Sequence, residues 1–281
     1  MQAKLKEVLD KAYRGHYAVG AFNTSDLEIT QGIIEAAIEM NSPVIVQTSE
    51  KAIHYAGLEE ISSIVRIEAI KAPIPVVLHL DHGKDLDLIG RAMKFGYSSV
   101  MVDTSVFSEN KRIDILKKVV LEAHKYGVSV EGERDSIKGR EDFIQADSSH
   151  LTDPDKAVEF VNKTGIDAFA VSIGNAHGGN LPGENLNLNL LHQIHEKIDL
   201  PLVLHGASST PEEKIKEAVK YGISKINIDT DLRHAFALEI KELFKDHPET
   251  QDPREIMKAG KEAVKKVVKE KIKLFGSAGK A

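Results

Sequence analysis

The segment LHLDHG, residues 78–83, places two imidazoles and a carboxylate directly after an apolar, strand-like run. Two later segments also carry an apolar run that ends at a His-Gly pair: DAFAVSIGNAHGG at 167–179 and PLVLHGASS at 201–209. The glycine of each pair allows the backbone to turn sharply or to approach a ligand closely. If the three strands are neighbours in a barrel, their histidines converge. These histidines are His82, His177 and His205.

Such a histidine set is typical of a catalytic zinc site. Three neutral imidazoles leave one coordination position open, whereas structural zinc sites are closed and usually contain cysteine. The chain has no cysteine, which argues against a structural zinc site and excludes disulfides. We therefore predict a catalytic metal site at the ends of these strands.

The rest of the chain alternates between short apolar runs and amphipathic helical patterns. The runs are apolar on both faces, as parallel strands covered by helices are. Eight such units, each followed by a helix, predict an α/β fold, a (β/α)8 TIM barrel in one domain over residues 1–281, with extra C-terminal helices at about 231–245 and 253–274. A doubly wound sheet is the alternative, but no G-x-G-x-x-G follows the first strand. The predicted strands are 17–22, 43–49, 75–79, 98–102, 128–133, 167–172, 200–204 and 223–228.

The composition excludes several classes of protein. No apolar run approaches the roughly 20 residues that span a bilayer, and residues 1–14 lack the apolar centre of a signal peptide. The net charge is -6, whereas nucleic-acid binders carry a basic face. The lysine-rich stretch 258–273 alternates with Glu and Val at helical spacing, which indicates a solvated helix face. We expect a cytoplasmic protein that binds neither nucleic acid nor membrane.

Polar residues follow the predicted strands at the end where barrel enzymes place their active sites. The turn 206–211 leads into a helix, a place that favours an anion such as phosphate, although the same residues also suit a simple helix cap. Asp81 beside His82 could orient the imidazole or carry protons itself. The other polar strand-end residues are Asn23, Ser49, Asp103, Glu133, Asn227, Asp229 and Thr230.

The segment 134–153 reads as a long charged loop. Loops of this length are usually functional lids or disordered segments. It contains Glu141 and Asp142, which are either catalytic groups or ordinary solvated charges.

The sequence resembles the class II, metal-dependent ketose-bisphosphate aldolases over essentially its whole length. The order and spacing of the motifs carry the resemblance, since no single motif would suffice. The motifs are AFNTSDLEITQGIIEAA (21–37), SPVIVQTSE (42–50), VLHLDHG (77–83), TDPDKAVEFVNKTGIDAFAVSIGNAHG (152–178), LVLHGASSTP (202–211), KINIDTDLRHAF (225–236), DPR (252–254) and KLFGSAGKA (273–281).

This resemblance implies a role for individual residues. His82, His177 and His205 would bind zinc, and Glu133 would be a nearby carboxylate able to ligate a displaced metal. Asp81 would be the acid/base at the aldehyde oxygen, and Glu141 the carboxylate that serves the dihydroxyacetone phosphate carbon. The implied substrate contacts are Gly178, Gly206, Ser208, Asn227, Asp229 and Thr230 for dihydroxyacetone phosphate, Asn23 and Ser49 near the reacting carbons, and Arg254 for the far phosphate of a neighbouring subunit's substrate.

The resemblance also implies a phosphorylated sugar substrate, a homodimer or homotetramer, and stimulation by a monovalent cation. The expected reaction is the reversible cleavage of fructose 1,6-bisphosphate, with tagatose 1,6-bisphosphate or another phosphorylated ketose as the alternative. Departures from the family pattern border the loop and the far half of the substrate, and they leave the choice of sugar open. They are Arg134, Asp135, Lys138, Gly179, Asn180 and Asp26.

The sequence is also compatible with other chemistries. Cleavage beside a carbonyl leaves a carbanion, which either a metal ion or a lysine Schiff base can stabilise. Lys225 lies on a predicted strand, but a Schiff base would leave the three histidines without a task. A metal-dependent hydrolase and a non-catalytic phosphosugar-binding relative are the alternatives from other classes. The retained Asp81 and Glu141 argue against the non-catalytic one.

Overall fold

The computed structural model describes residues 1–104, 107–135, 137–141, 144–146, 150–177, 186–208 and 210–281, with the backbone alone for 138–141, 144–146 and 177. Its strands are β1 Val19–Asn23, β2 Val44–Ser49, β3 Val76–Gly83, β4 Ser99–Val102, β5 Ser129–Glu133, β6 Lys138–Glu141, β7 Ile144–Ala146, β8 Ala168–Ala170, β9 Ala176–His177, β10 Leu202–Leu204 and β11 Ile223–Ile228.

The described helices lie mainly outside these strands. They are α1 Leu5–Gly15, α2 Leu27–Glu39, α3 Glu50–Ala56, α4 Leu58–Lys71, α5 Leu86–Lys94, α6 Glu109–Lys125, α7 Pro154–Thr164, α8 Leu188–Lys197, α9 Glu212–Lys220, α10 Thr230–Asp246 and α11 Pro253–Phe275. Local signals set several of their ends: Asp26 caps α2 by accepting from the Ile29 amide at 2.8 Å. Gly165 and Gly276 end α7 and α11 in the left-handed conformation. Among these helices, none combines the length and the apolar character that a membrane crossing requires.

Eight strands close into a parallel barrel in the order β1-β11-β10-β8-β5-β4-β3-β2. This confirms the predicted (β/α)8 barrel. Helices cover its outer surface, where outward-facing strand residues and helix residues form the main buried core.

The barrel interior divides into an apolar lower part and a polar upper part. Alternate strand residues face inward. The lower layer is mainly apolar, although Lys225 and Glu131 register with two of its members. Its apolar residues are Val19, Ala21, Ile45, Val77, Ala168, Ala170 and Val203. Helix α1 packs Leu5, Val8 and Leu9 against this layer and closes the bottom. Toward the carboxyl ends of the strands, the inward positions become polar. Registered pairs such as Gln47 with His79 and Ser49 with Asp81 belong to this upper part.

Two local expectations were wrong, and one helix was missed. Strand β3 was expected to end at residue 79 but continues to Gly83, because its polar residues keep pairing with β2. The expected loop 134–153 contains an antiparallel hairpin of β6 and β7, and β6 also pairs with β9. Helix α3 was not expected: Ser49 caps it, its oxygen accepting from the Ala52 amide at 3.2 Å.

Candidate active site

The end of β3 brings two adjacent side chains, Asp81 and His82, to one site. Successive residues of a regular strand face opposite sides. Here the pairing of β3 with β4 shifts register between Leu80 and Gly83, and His82 adopts the left-handed conformation with φ 48°. Such irregularities re-aim side chains next to active sites. As a result, the carboxylate and the imidazole both face the centre of the barrel mouth.

His82 and His205 meet across the barrel, as the sequence predicts. Nε2 of His82 lies 2.8 Å from Nδ1 of His205, and 3.9 Å from Oδ1 of Asp81. All three residues are buried, and one ligand atom from each lies within 4.8 Å of the others. A compact set of imidazole and carboxylate donors of this kind suits a divalent transition metal.

Two contacts orient His205 for such a role. Its Nε2 lies 2.8 Å from Oε1 of the buried Glu131. Because a carboxylate only accepts hydrogen bonds, this contact favours the tautomer with the hydrogen on Nε2 and the lone pair on Nδ1, which faces His82. Its carbonyl oxygen accepts from Nδ2 of Asn175 at 3.0 Å, which fixes the backbone after β10. The imidazole therefore presents one defined nitrogen to the centre of the site.

Three side-chain amides surround Asp81. Its carboxylate accepts from Nδ2 of Asn23 at 3.2 Å, Nε2 of Gln47 at 3.3 Å and Nδ2 of Asn227 at 3.2 Å. These donors come from β1, β2 and β11, so three strands hold one carboxyl group. Asp81 is thereby fixed beside His82 at the barrel mouth.

The acidic surroundings of Glu133 favour a bound cation. Burial raises the pKa of Glu133 well above its ordinary value, and the neighbouring carboxylates of Asp103 and Glu131 raise it further. Its Oε2 has no hydrogen-bond partner among the described residues. A metal ion next to these oxygens would favour their ionised form. The donor set and its charge thus fit a divalent cation.

A cavity of about 290 Å³ opens beside this cluster. Its wall includes Asn23, Ser49 and Asp229, three of the predicted substrate contacts, and also the cationic side chains of Lys51 and Arg233. Asp229 accepts from Nε of Arg233 at 2.8 Å. The wall therefore combines hydrogen-bonding groups with two cations, one of which is paired with Asp229. This combination suits an anionic, hydroxylated ligand.

Residues 3–280 match the protein family described as fructose-bisphosphate aldolase class-II. The chain belongs to this family. Like other class II aldolases it is a lyase, and the family is metal-dependent.

Relatives agree on the aldolase class but differ in substrate. A fructose-bisphosphate aldolase of Geobacillus stearothermophilus is 39% identical over 280 residues, 99% of this chain and 98% of that protein. A sulfofructosephosphate aldolase of Alkalicoccus urumqiensis is 38% identical over 278 residues, 98% of this chain and 97% of that protein. The crystal structure of the YdjI aldolase from Escherichia coli K12 superposes with a TM-score of 0.87 at 36% identity and covers all of both chains.

Apart from Arg254, the remaining residues predicted for this aldolase site lie at the same end of the barrel or outside the described part. Gly206 follows His205 with φ 65°, and Thr230 begins α10. Ser208 lies in the turn before α9, half-buried. Gly178 and the side chains of His177 and Glu141 lie outside the described residues. In the backbone, Gly139 of β6 registers with His177 of β9, and Glu141 follows two residues later.

Arg254 lies apart from the cavity wall. It is in the first turn of α11, its side chain is 89% exposed, and it binds Asp252 with Nη2 to Oδ2 at 2.6 Å. Arg134, a departure from the family pattern, pairs with Glu109 of α6 at 2.9 Å.

Sequence reasoning missed three residues that support the aldolase site: Gln47, Glu50 and Glu131. Each is polar or charged and buried, in or directly after an apolar strand. That placement is the available signal, because a charge at an inward-facing barrel position is expensive unless it is paired. The partners could not be read from the sequence, since they come from other strands.

Proposed function

We propose that this class II aldolase uses zinc and reversibly cleaves fructose 1,6-bisphosphate to dihydroxyacetone phosphate and glyceraldehyde 3-phosphate. The observation that carries the proposal is the buried cluster of Asp81, His82 and His205 beside a cavity with cationic side chains. An imidazole pair alone would suit many metal enzymes. A carboxylate held by three amides next to that pair adds a group that can move a proton at the reacting centre.

The metal would be held by His82, His177 and His205, with Glu133 as a carboxylate able to take a displaced ion. Bound there, zinc supplies Lewis acidity that withdraws charge from the ketose carbonyl. Glu131 keeps the Nδ1 lone pair of His205 available for it.

Two carboxylates would handle the protons. In the cleavage direction the C3–C4 bond breaks and its electron pair stays on C3. Asp81 takes the proton of the C4 hydroxyl, which becomes the aldehyde oxygen, and Glu141 serves the proton that C3 gains. The reverse steps form the bond during synthesis. Asn23, Gln47 and Asn227 hold Asp81 in position for its transfer.

The substrate would lie across the cavity. Asn23 and Ser49 would contact the region of the reacting carbons, and the start of α10 at Thr230 offers a helix N-terminus to a phosphate. The proposed contacts for dihydroxyacetone phosphate are Gly178, Gly206, Ser208, Asn227, Asp229 and Thr230.

The far phosphate would be reached by Arg254 of a neighbouring subunit, which requires a homodimer or homotetramer. The exposure of this arginine and its absence from the cavity wall of its own chain are compatible with that role. A monovalent cation would act as an activator.

A second candidate substrate is a sulfofructose phosphate. The relative named for it is 38% identical to this chain, against 39% for the relative named for fructose bisphosphate. The two substrates share a phosphorylated end and an anionic far end, so Lys51 and Arg233 suit either. Tagatose 1,6-bisphosphate, the C4 epimer, is the remaining alternative.

The test is cleavage of all three sugars, in parallel, by chelator-stripped protein before and after zinc is added. We expect activity only with zinc, and a higher kcat/KM on fructose 1,6-bisphosphate than on the other two sugars. A preference for another sugar would reject fructose 1,6-bisphosphate as the preferred substrate but keep the aldolase assignment. Zinc binding without cleavage of any of them would reject these three substrates, whereas failure to bind zinc would reject the metal centre.

A further inference from the structure

A lysine is completely buried inside the barrel beneath the candidate active site. The backbone of Lys225 registers with Val19 on one side and Val203 on the other, both in the apolar lower layer. Its side chain is 0% exposed. A lysine in such a place is retained only when its charge is paired and its hydrogens are bonded. No step of the proposed reaction uses it.

The ammonium group connects the two halves of the site. Its Nζ lies 2.9 Å from Oε2 of Glu131, and it donates to Oδ1 of Asn227 at 2.7 Å. Glu131 uses its other oxygen to accept from Nε2 of His205 at 2.8 Å. Asn227 uses its amide nitrogen to donate to Asp81 at 3.2 Å. One cation thus touches the partner of a metal ligand and the partner of the proposed proton carrier.

His79 does not replace this cation. Its Nε2 lies 3.7 Å from Oε2 of Glu131, and its Nδ1 lies 2.8 Å from Oγ of Ser99. Burial lowers the pKa of His79 well below its ordinary value, and the charge of Lys225 lowers it further. The imidazole of His79 is therefore neutral, and the two oxygens of Glu131 already contact Lys225 and His205.

We propose that Lys225 is a positioning residue that acts through Glu131 and Asn227. Its ion pair holds Oε2 of Glu131 in place, which leaves Oε1 to contact Nε2 of His205 and fixes the imidazole with Nδ1 toward His82. It also fixes the amide of Asn227 with its nitrogen toward Asp81, because Oδ1 is occupied by the ammonium. The inference rests on the proposed metal-dependent function. It assigns to Lys225 a task that differs from Schiff-base formation with the substrate.

Zinc binding by wild type and three variants tests this role. Zinc dissociation constants are measured by chelator competition for wild type, Lys225→Met, Glu131→Gln and the double variant. Loss of the partner of a metal-bound histidine typically costs about 10–100-fold in metal affinity, and we expect a loss in this range for Lys225→Met. In the Glu131→Gln background the lysine has no carboxylate to act through. The double variant should therefore bind zinc at least as tightly as Glu131→Gln alone.

Lys261→Met is the matched control. Lys261 also loses an ion pair, with Glu35 at 2.8 Å, but it lies on α11 outside the barrel. We expect its zinc affinity to equal that of wild type. The absorption spectrum of the cobalt-loaded protein should change in Lys225→Met and not in Lys261→Met, since it reports ligand geometry rather than fold stability.

Several outcomes separate the possibilities. An unchanged zinc affinity and cobalt spectrum in Lys225→Met, or an equal loss in the wild-type and Glu131→Gln backgrounds, would overturn the positioning role. If Lys225→Met does not fold, the comparison of Glu131→Gln with the double variant still tests the positioning role. Tighter zinc binding by Glu131→Gln than by the double variant would overturn that role. If borohydride traps dihydroxyacetone phosphate covalently on Lys225, this lysine acts as a nucleophile and not as a positioning residue. Failure of wild type to bind zinc would instead reject the metal centre on which the inference rests.

Discussion

Glu50 holds the turn that follows His82, a proposed metal ligand. Its hydrogen bonds go to this turn, so its removal should weaken metal binding indirectly. Its Oε1 accepts from the backbone amides of Lys84 at 2.6 Å and Asp85 at 2.8 Å. The carboxyl-bearing residue is 9% exposed and lies at the start of α3. The turn begins at His82, whose left-handed φ of 48° is costly for a residue with a side chain. Glu50 thus stabilises a strained backbone.

The magnitude follows from these contacts. A hydrogen bond to a charged group contributes about 1.5–3 kcal/mol when its loss leaves a buried group unsatisfied. Lys84 and Asp85 are exposed residues, so water replaces part of the lost interaction in Glu50→Ala. We expect a loss of about 2 kcal/mol in the free energy of unfolding, and about 1 kcal/mol for Glu50→Gln, which keeps an acceptor oxygen. Relaxation of the left-handed His82, which costs about 1–2 kcal/mol, should weaken zinc binding about 5- to 30-fold.

The assay is urea unfolding of chelator-stripped protein, followed by zinc affinity from chelator competition. Glu68→Ala is the control, because Glu68 forms a surface ion pair with Lys71 at 3.0 Å whose loss should cost less than about 1 kcal/mol. Equal unfolding free energies for Glu50→Ala and Glu68→Ala, with wild-type zinc affinity in both, would refute the argument. A loss of stability with unchanged zinc affinity would show that the hydrogen bonds of Glu50 stabilise the fold. It would reject the claim that they hold His82 in its conformation for zinc binding.

Three further predictions concern other parts of the molecule. Asp81→Ala should keep zinc and lose about 100-fold or more in kcat; an unchanged rate would remove Asp81 from the mechanism. Lys51→Met should raise KM for the bisphosphate more than it lowers kcat, since a cation of the cavity wall binds substrate and transition state alike; a loss confined to kcat would contradict this. Lys265→Met should lower stability at neutral pH. Hydrogen bonds from Lys265 and Lys269 lower the pKa of Glu39 from 4.5 to about 2. The stabilisation from this ion pair is therefore complete above the pKa of Glu39 in the unfolded chain and is lost as pH falls through its pKa in the folded protein. If wild type and Lys265→Met still differ in the free energy of unfolding at about pH 2, this prediction is wrong.

The barrel was predictable because its strands are apolar on both faces and its helices are amphipathic. These local patterns report burial, and burial on both faces is specific for a covered parallel sheet. The same reasoning fails where a strand is polar. β3 continues through Asp81 and His82, and the hairpin of β6 and β7 contains charged residues, so neither produces an apolar signal.

The candidate site was predictable only in part, for a related reason. Strand-end position identified Asp81, His82 and His205, because every parallel strand delivers its end to the same face. It could not identify Glu131 or Gln47, whose roles depend on partners from other strands. The sequence shows that Lys225 lies on a strand, but it does not show which carboxylate pairs with it. From the sequence alone, Schiff-base formation was therefore the only role considered for Lys225.

The pairing of Lys225 with Glu131 also raises the question of why the barrel interior contains an ion pair. A buried ion pair is weak support for stability, because hydrophobic residues of similar size often do as well. The lower layer of this barrel shows that apolar residues fill the interior readily. The backbones of Lys225 and Glu131 lie level with this layer, and their charged groups contact Asn227 and His205. These contacts give His205 and Asp81 fixed orientations that apolar neighbours cannot impose. This buried ion pair is therefore better explained by the demands of the proposed metal site than by those of the fold. We expect a double variant that lacks both charges to retain stability while losing zinc affinity.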